Sequence, residues 1–116
     1  LNALEDQDPD VRWRAAEALG PLGSAEAIPG LLNALEDQNS DVRWRAAEAL
    51  GQLGSAEAVP GLLNALEDQN SGVRWRAAEA LGQLGSAEAV PGLLNALEDQ
   101  DSYVRWSAAD ALGQLG

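Results

Sequence analysis

The side chains that could perform chemistry in this sequence are carboxylates, guanidinium groups, hydroxyls and indoles, because several reactive residue types are missing. The 116 residues include 19 Asp and Glu, seven Arg and four Trp, but no Cys, Met or His. The missing types exclude disulfides, thiolate nucleophiles, imidazole general bases and the common zinc ligand sets. Most catalytic mechanisms are thereby removed, so the composition predicts a chain that is not an enzyme and needs neither cofactor nor metal.

One acidic pattern suggests a calcium site but is better explained by helix capping. Asp6, Asp8, Asp10 and Glu17 have the spacing of the first, third, fifth and twelfth residues of an EF-hand loop. The glycine that such a loop requires at its sixth position is Val11 here, so we interpret the spacing as coincidence. Acidic side chains at a helix N-terminus instead satisfy free amides and the helix dipole. The serines before each Ala-Glu-Ala segment are also interpreted as caps, because no base is available to activate them.

The charge balance narrows the class of partner. The formal net charge is -12, which would repel the phosphate backbone of nucleic acids and anionic lipid headgroups. No apolar run approaches the roughly 18 residues needed to span a bilayer, and no leader is recognisable at the N-terminus. We therefore expect a cytoplasmic protein that binds neither nucleic acid nor membranes.

An internal repeat positions these side chains. Trp13, Trp44, Trp75 and Trp106 lie 31 residues apart, and the surrounding text VRWRAAEALG occurs three times before VRWSAADALG. A second block, SAEAIPGLLNALEDQ, recurs with Val in place of Ile. A fixed period of this length indicates an array of stacked units, and two blocks per unit predict a helical hairpin. The predicted units are residues 1–23, which is truncated, 24–54, 55–85 and 86–116.

The second helix of each unit, helix B, is defined by its first residues and its apolar spacing. The residues that precede it can each accept a hydrogen bond from a free amide of the first turn. These residues are Asp8, Asn39, Asn70 and Asp101. A 3.6-residue period predicts one buried stripe. In the first unit this stripe is Val11, Ala15, Ala18, Leu19 and Leu22. Gly20 and Gly23 are expected to break the helix.

The first helix, helix A, is predicted to begin at a Ser24 cap and to be bent near its start by Pro29. Its apolar face is Ile28, Leu31, Leu32 and Leu35. Neither helix can bury its stripe alone, so the hairpins must stack on one another. The Ala- and Leu-rich composition also favours helices over strands, and we predict an all-α fold, an α-solenoid of stacked hairpins.

The run LEDQDPDVRWRAAEALGPLGSAEAIPGLLNAL resembles the short HEAT-like repeats of phycobilin lyases and of the artificial α-helicoidal repeat binders based on them. The period, the Pro-Asp-Val-Arg start at residues 9–12, the Ala-Ala-x-Ala-Leu-Gly core and the Ala-Val/Ile-Pro entry occur in register, and the resemblance covers the whole chain. The resemblance implies a HEAT-like superhelix with a concave inner surface at which partners dock. It also implies a ladder between units, formed by an Asp and an Arg six residues later. The matching residues are Asp6 with Arg12, Asp37 with Arg43, Asp68 with Arg74 and Asp99 with Arg105.

The tryptophans are predicted to line that inner surface. At 100° per residue Trp13 lies about 170° from the centre of the helix B stripe, so its indole is expected to be exposed. Because Trp and Arg are enriched at binding hot spots, a row of such residues is typical of a binding groove. Alternatively, each indole packs on an arginine stem as a structural ladder with cation–π support. The predicted partner-binding residues are Trp13, Arg14, Glu17, Asp41, Trp44, Arg45, Glu48, Trp75, Arg76, Glu79, Tyr103 and Trp106.

Sequence variation between units supports the prediction that this face binds a partner. Three functions remain open. Positions 10, 41, 72 and 103 are Asp, Asp, Gly and Tyr, and positions 14, 45, 76 and 107 are Arg three times and then Ser. The first hypothesis is a binding scaffold for a protein or peptide. The second is a structural element that stacks end to end, because the last unit keeps its apolar stripe and Leu1 aligns with Leu32 of a full helix A. The third, from resemblance alone, is an accessory subunit related to chromophore lyases.

Overall fold

The computed structural model describes residues 2–116, and its regular structure is helical throughout that range. Four helices of 14 residues alternate with shorter ones. The α-helices are α1 Pro9–Leu22, α2 Ile28–Ala34, α3 Ser40–Leu53, α4 Val59–Ala65, α5 Ser71–Leu84, α6 Val90–Ala96 and α7 Ser102–Leu115. The 3-10 segments are Asn2–Glu5, Ala25–Ala27, Ala56–Ala58 and Ala87–Ala89. The all-α class and the repeated hairpin are confirmed, whereas the exact unit boundaries stay a prediction.

The long helices begin at the predicted caps. The side-chain oxygen of Asn39, for example, accepts a hydrogen bond from the backbone amide of Asp41 at 2.8 Å. Each long helix except the last ends at a glycine in the left-handed conformation, with φ of 68° at Gly23 and 71° at Gly54. The expectation that Gly20 breaks helix B is wrong, because α1 continues to Leu22. Local capping chemistry therefore sets both ends of these helices.

Gly20 has a packing role instead of a helix-breaking one. It is buried, and a Cβ added there would lie 3.0 Å from the Cα of Ala49 on the next long helix. The equivalent Gly51 and Gly82 are also buried, and a Cβ at Gly51 would lie 3.0 Å from the Cα of Ala80. Glycine at this position therefore allows successive long helices to approach closely.

Helix A is divided into two pieces. Ser24 caps a 3-10 turn, accepting a hydrogen bond from the amide of Glu26 at 3.3 Å, and the α-helix begins only at Ile28. Pro29 consequently lies in the first turn of α2, where its missing amide hydrogen costs no intrahelical bond. The predicted irregularity near Pro29 is thus a change of helix type that precedes the proline.

The long helices form one row, and the short helices pack against it. Helix α3 contacts α1 on one side and α5 on the other, and α5 contacts α7, while α2, α4 and α6 pack on α3, α5 and α7 respectively. The largest fully buried side chains lie between these helices. They are Leu31, Leu50, Leu62, Leu81, Leu93, Val42, Val59, Val73 and Val104.

The predicted stripe is buried in the internal repeats but not throughout the first. Val42 is fully buried, whereas Val11, its equivalent in α1, is 38% exposed and Leu22 is 72% exposed. The reason is that no long helix precedes α1 in the described residues, and only the short 3-10 segment Asn2–Glu5 contacts it from that end of the chain. Within residues 2–116, no helix combines the length and the apolarity that crossing a bilayer would require.

Candidate functional site

A ladder of arginine–aspartate pairs joins successive repeats. Arg43 Nε donates to Asp68 Oδ2 at 2.8 Å, and its Nη2 donates to Asp68 Oδ1 at 3.1 Å. Its Nη1 donates to the backbone carbonyl oxygen of Asp37, six residues earlier, at 2.9 Å. The sequence spacing thus identified the participating residues, but the carboxylate partner of each Arg belongs to the following repeat. The same geometry recurs in the pairs Arg12 with Asp37 and Arg74 with Asp99.

The ladder ends at the last repeat. Arg105 donates to the backbone carbonyl oxygens of Asp99 and Gln100, at 2.7 and 3.0 Å, without a carboxylate partner in the described residues. Burial raises the pKa of Asp99, but hydrogen bonds from Arg74 and the Asp101 amide, with the charges of Arg74 and Arg105, outweigh it. The pKa of Asp99 is therefore lowered from its ordinary value of 3.8.

The tryptophans lie in one row along the long helices but differ in exposure. Trp13, Trp44 and Trp75 are half-buried and pack against the core, whereas Trp106 is 66% exposed. The Trp13 indole, which was expected to be exposed, is thus only partly solvated, and so are the indoles of Trp44 and Trp75. Trp13 and Trp44 are each covered by two arginine side chains, one from the same helix and one from the following long helix. Trp75 is covered by Arg76 of its own helix.

Arginines and indoles alternate along this row. The guanidinium carbon of Arg45 lies 4.5 Å from the ring centre of Trp13 and 3.9 Å from that of Trp44. Arg76 lies 4.8 Å from Trp44 and 4.0 Å from Trp75. These distances lie within the range for cation–π contact. In the first three repeats the residues therefore form the structural ladder that was the alternative to an open groove.

Each arginine that lies between two indoles also pairs with a carboxylate. We call this Trp–Arg–Trp arrangement a sandwich. Arg45 forms an ion pair with Glu17 of the preceding repeat. Arg76 Nη1 lies 3.1 Å from Glu48 Oε2, also of the preceding repeat, and 3.2 Å from Glu79 Oε1 in its own helix. The structure thus brings together the predicted Trp, Arg and Glu residues, and pairs them with one another.

Indole nitrogens contact aspartates at the helix starts. Trp44 Nε1 donates to Asp41 Oδ1 at 3.2 Å, and Trp13 donates to Asp10 at the same distance. Asp10 was not among the predicted binding residues, although its position three residues before Trp13 was a signal for this contact. The equivalents in the last two repeats are Gly72 and Tyr103, and no acceptor for the Trp75 or Trp106 indole nitrogen occurs in the described residues.

The row of sandwiches is interrupted between the last two long helices, α5 and α7. Ser107 stands where the earlier repeats have arginine, and its buried hydroxyl donates to the backbone carbonyl oxygen of Trp75 at 2.8 Å. A cleft of about 590 Å³ remains beside the two indoles, lined by Trp75, Ser102, Tyr103 and Trp106. Ser102 and Ser107 were not predicted as site residues, but the loss of arginine at position 107 was visible in the sequence.

A larger depression lies elsewhere. It has a volume of about 710 Å³ and contains the Arg74–Asp99 pair, whose charged atoms already contact each other. Within the described part of the chain, no group of three or more acidic side chains is arranged to hold a metal ion. The aromatic cleft is therefore the better candidate for a binding site.

Comparison with known families agrees with the repeated hairpins. The sequence matches the family described as HEAT repeats over residues 1–68 and 59–116, which together span the chain. The chain belongs to the HEAT repeat family. No curated protein matches the sequence.

Solved structures share this HEAT fold. Human deoxyhypusine hydroxylase, solved with glycerol, is 33% identical with a TM-score of 0.85, over 98% of this chain and 41% of that one. The complex of CpcE and CpcF of phycocyanin lyase from Nostoc sp. is 28% identical with a TM-score of 0.69, over 97% and 62%. An engineered protein is 25% identical with a TM-score of 0.74, over 98% and 60%. The HEAT chain thus spans 41 to 62% of these solved chains, and its resemblance to lyase-type and artificial repeats is confirmed.

The hydroxylase contradicts the prediction that this chain is not an enzyme. A protein named for a catalytic activity has this fold at 33% identity, so HEAT repeats of this kind occur in enzymes. The prediction rests on residue types missing among 116 residues, whereas the match covers 41% of the hydroxylase chain. Composition over a segment of this size does not decide whether a protein is catalytic, and the prediction is corrected accordingly.

Proposed function

We propose that this HEAT chain is a scaffold that binds a protein or peptide on the face formed by α1, α3, α5 and α7. The observation that carries the proposal is the exposed aromatic pair at the end of the row, since Trp106 is 66% and Tyr103 is 70% exposed. Large exposed aromatic side chains on one patch are typical of interaction sites. The other predicted residues of the face supply alternating charge and aromatic surface beside this pair.

The internal sandwiches suit such a role because they make the face rigid. Arg45 and Arg76 are each held between two indoles and paired with a glutamate. A surface whose long side chains are already fixed loses less conformational entropy when a ligand binds. The phycocyanin lyase neighbour is a complex of two proteins, which supports a protein partner. An accessory subunit of a lyase is a narrower form of the same proposal.

Selection of peptides tests the proposal. A random peptide library would be selected on the immobilised chain, and the affinity of the selected peptides measured by fluorescence anisotropy. We expect the variant Tyr103→Ala with Trp106→Ala to weaken binding about 30-fold, the loss typical of hot-spot residues. Glu67→Ala, an exposed change outside the row, is the matched control. Peptides whose affinity is insensitive to changes in every residue of the row would refute the proposal.

A second function, end-to-end assembly, is favoured by the apolar surface at both ends. Leu94 and Leu97 are 52% and 37% exposed, whereas Leu66, the internal equivalent of Leu97, is 8% exposed. Val11 and Leu22 are exposed at the other end. Stacking these surfaces would continue the repeat as a column, because a head-to-tail contact does not close by itself. Leu1, on which the truncated first helix was inferred, lies outside the described residues.

Charged groups at the ends are complementary in the same sense. Arg105 lacks a carboxylate partner, and the Asp6 carboxylate lacks an arginine partner, within residues 2–116. The net charge of -12 opposes association, and salt screens this repulsion. We therefore expect the mass measured by light scattering after size exclusion to rise with concentration and with ionic strength. A constant monomer mass under all conditions would exclude the assembly.

A further inference from the structure

The internal repeats contain a complete binding site for an arginine side chain. There are three steps between successive long helices, from α1 to α3, α3 to α5 and α5 to α7. At the first two steps, a guanidinium group lies between consecutive indoles and forms an ion pair with the glutamate of the preceding repeat. Arg76, for example, lies 4.8 and 4.0 Å from the ring centres of Trp44 and Trp75, and 3.1 Å from Glu48. The chain thus shows which groups hold a guanidinium in this geometry: two aromatic faces and one carboxylate.

The third step has these groups but no guanidinium. Trp75 and Trp106 are the consecutive indoles, and Glu79 is the equivalent of Glu48. Ser107 occupies the arginine position, and its short side chain is hydrogen-bonded to the Trp75 carbonyl. Glu79 therefore forms an ion pair only within its own helix, with Arg76, in the described residues.

A cleft opens beside the vacated step. The cleft of about 590 Å³ has Trp75 and Trp106 in its lining, and this volume lies within the range of about 300 to 1,000 Å³ found for small-ligand sites. Gly72 replaces the aspartate that contacts the indole in the first two repeats. Two departures from the repeat, Gly72 and Ser107, thus occur at one step, and Tyr103 adds a further aromatic group to the lining.

We propose that the cleft between Trp75 and Trp106 binds an arginine side chain of a partner peptide, with Glu79 as the counter-ion. The proposal rests on the binding role of the helix row and names the chemistry of its ligand. Arginine is favoured over lysine because a planar guanidinium stacks on aromatic faces and pairs with carboxylates. The net charge of -12 also attracts a cationic peptide.

A second copy of the chain does not fill this cleft in the end-to-end column. Arg14 lies 4.5 Å from the ring centre of Trp13, and the repeat places the arginine of each unit between its own indole and that of the preceding unit. The Arg14 of a following copy would therefore lie beyond Trp106, and the step between Trp75 and Trp106 would stay open. An arginine from a separate peptide is the occupant that the geometry fits.

The test uses acetyl-Gly-Arg-Gly-amide as the probe and the indole Nε1–H NMR signals as the measurement. We expect shifts at Trp75 and Trp106 that saturate in the millimolar range and are small at Trp13, since a single cation–π site is weak. The same peptide with neutral citrulline should bind at least about tenfold more weakly. Ser107→Arg, which restores the residue of the other repeats, should abolish the shifts, and Ser107→Ala should retain them.

Several outcomes overturn the inference. Equal shifts at all four indoles, equal binding of the citrulline peptide, or unchanged binding by folded Ser107→Arg would each do so. Shifts that appear without peptide as protein concentration rises, and vanish in Arg14→Ala, would assign the cleft to a second copy and also overturn it. Library peptides that bind the wild type and Ser107→Arg equally, but lose affinity on Trp106→Ala, would refute the arginine site while leaving the proposed function intact.

Discussion

Replacement of Arg74 by alanine tests whether the arginine–aspartate ladder holds the repeats together. Arg74 makes a bidentate contact with Asp99 of the following repeat, at 2.8 and 3.1 Å. It also donates to the backbone carbonyl oxygens of Asp68 and Gln69, at 2.8 and 3.2 Å. Arg105→Ala is the matched control, because Arg105 makes the two equivalent backbone contacts without the carboxylate.

The magnitude follows from the exposure of the pair. The side chains of Arg74 and Asp99 are 18% and 13% exposed, between the surface pairs that contribute about 0 to 1 kcal/mol and the buried pairs whose disruption costs about 3 to 5 kcal/mol. We therefore expect the lost bridge to cost about 2 kcal/mol. The two backbone hydrogen bonds add about 1 to 2 kcal/mol to the loss in both variants.

Urea unfolding followed by circular dichroism measures the difference. With a slope of about 2 kcal/mol per molar urea, the unfolding midpoint of Arg74→Ala should lie about 1 M below that of Arg105→Ala. A cycle with Asp99→Asn separates the pair from its surroundings, and a coupling free energy of about 1 to 2 kcal/mol is expected. Equal midpoints for the two arginine variants, with no coupling, would show that the ladder contributes nothing to stacking.

Three further predictions concern the core, the helix contact and pH. Leu81→Ala should lower the free energy of unfolding by about 2 to 5 kcal/mol, because Leu81 is fully buried. The control Leu94→Ala, at a 52% exposed position, should change this free energy by less than about 0.5 kcal/mol. The urea midpoints of the two variants check both values. Gly51→Ala should destabilise by about 1 to 3 kcal/mol, since the new Cβ would lie 2.9 Å from the Cβ of Ala80, and an unchanged melting temperature would contradict this close approach. Because the pKa of Asp99 is lowered from 3.8, its ionised form stabilises the chain above that pH, and this contribution is lost as the pH falls through the folded-state value; the midpoints of wild type and Asp99→Asn should therefore converge in acid, and a constant difference would refute the sign.

Much of the fold could be predicted from the sequence because its determinants are local. Asn39 caps α3 and Gly54 ends it, and both residue types act through the backbone of their own turn. The period of the Trp and Arg residues then required stacking, whatever the precise geometry of each helix. These features do not depend on which residues meet across repeats.

The errors occurred where contacts between repeats decide the outcome. A wheel drawn for one helix places Gly20 near Trp13, on the side away from the stripe, but the next helix covers that side and buries both to different extents. In the same way, the spacing of Arg74 and Asp68 identified the ladder residues without showing that the carboxylate partner is Asp99. Periodicity within a helix contains no information on the offset between neighbouring helices.

In the candidate site, too, the residues could be recognised from one helix, whereas their contacts with neighbouring repeats could not. The Trp and Arg residues were recognisable as a row in the sequence. An open groove and a row of Trp–Arg sandwiches require the same residues, however. Only the distances between repeats show that Arg45 lies between Trp13 and Trp44. The Trp–Arg sandwiches in turn show which contacts are lost where Ser107 replaces arginine. Without the sandwiches, Ser107 is one small residue in a terminal unit.

A repeated contact that is absent from one step needs a physical explanation. Stacking favours sameness, and at the two earlier steps an arginine lies between the consecutive indoles. Ser107 instead gives up two aromatic contacts and one ion pair between repeats, which weakens the last step of the stack. Stability sacrificed at one place, with aromatic surface left open beside it, is the pattern expected of a functional site. The open step therefore supports the binding role proposed for this face.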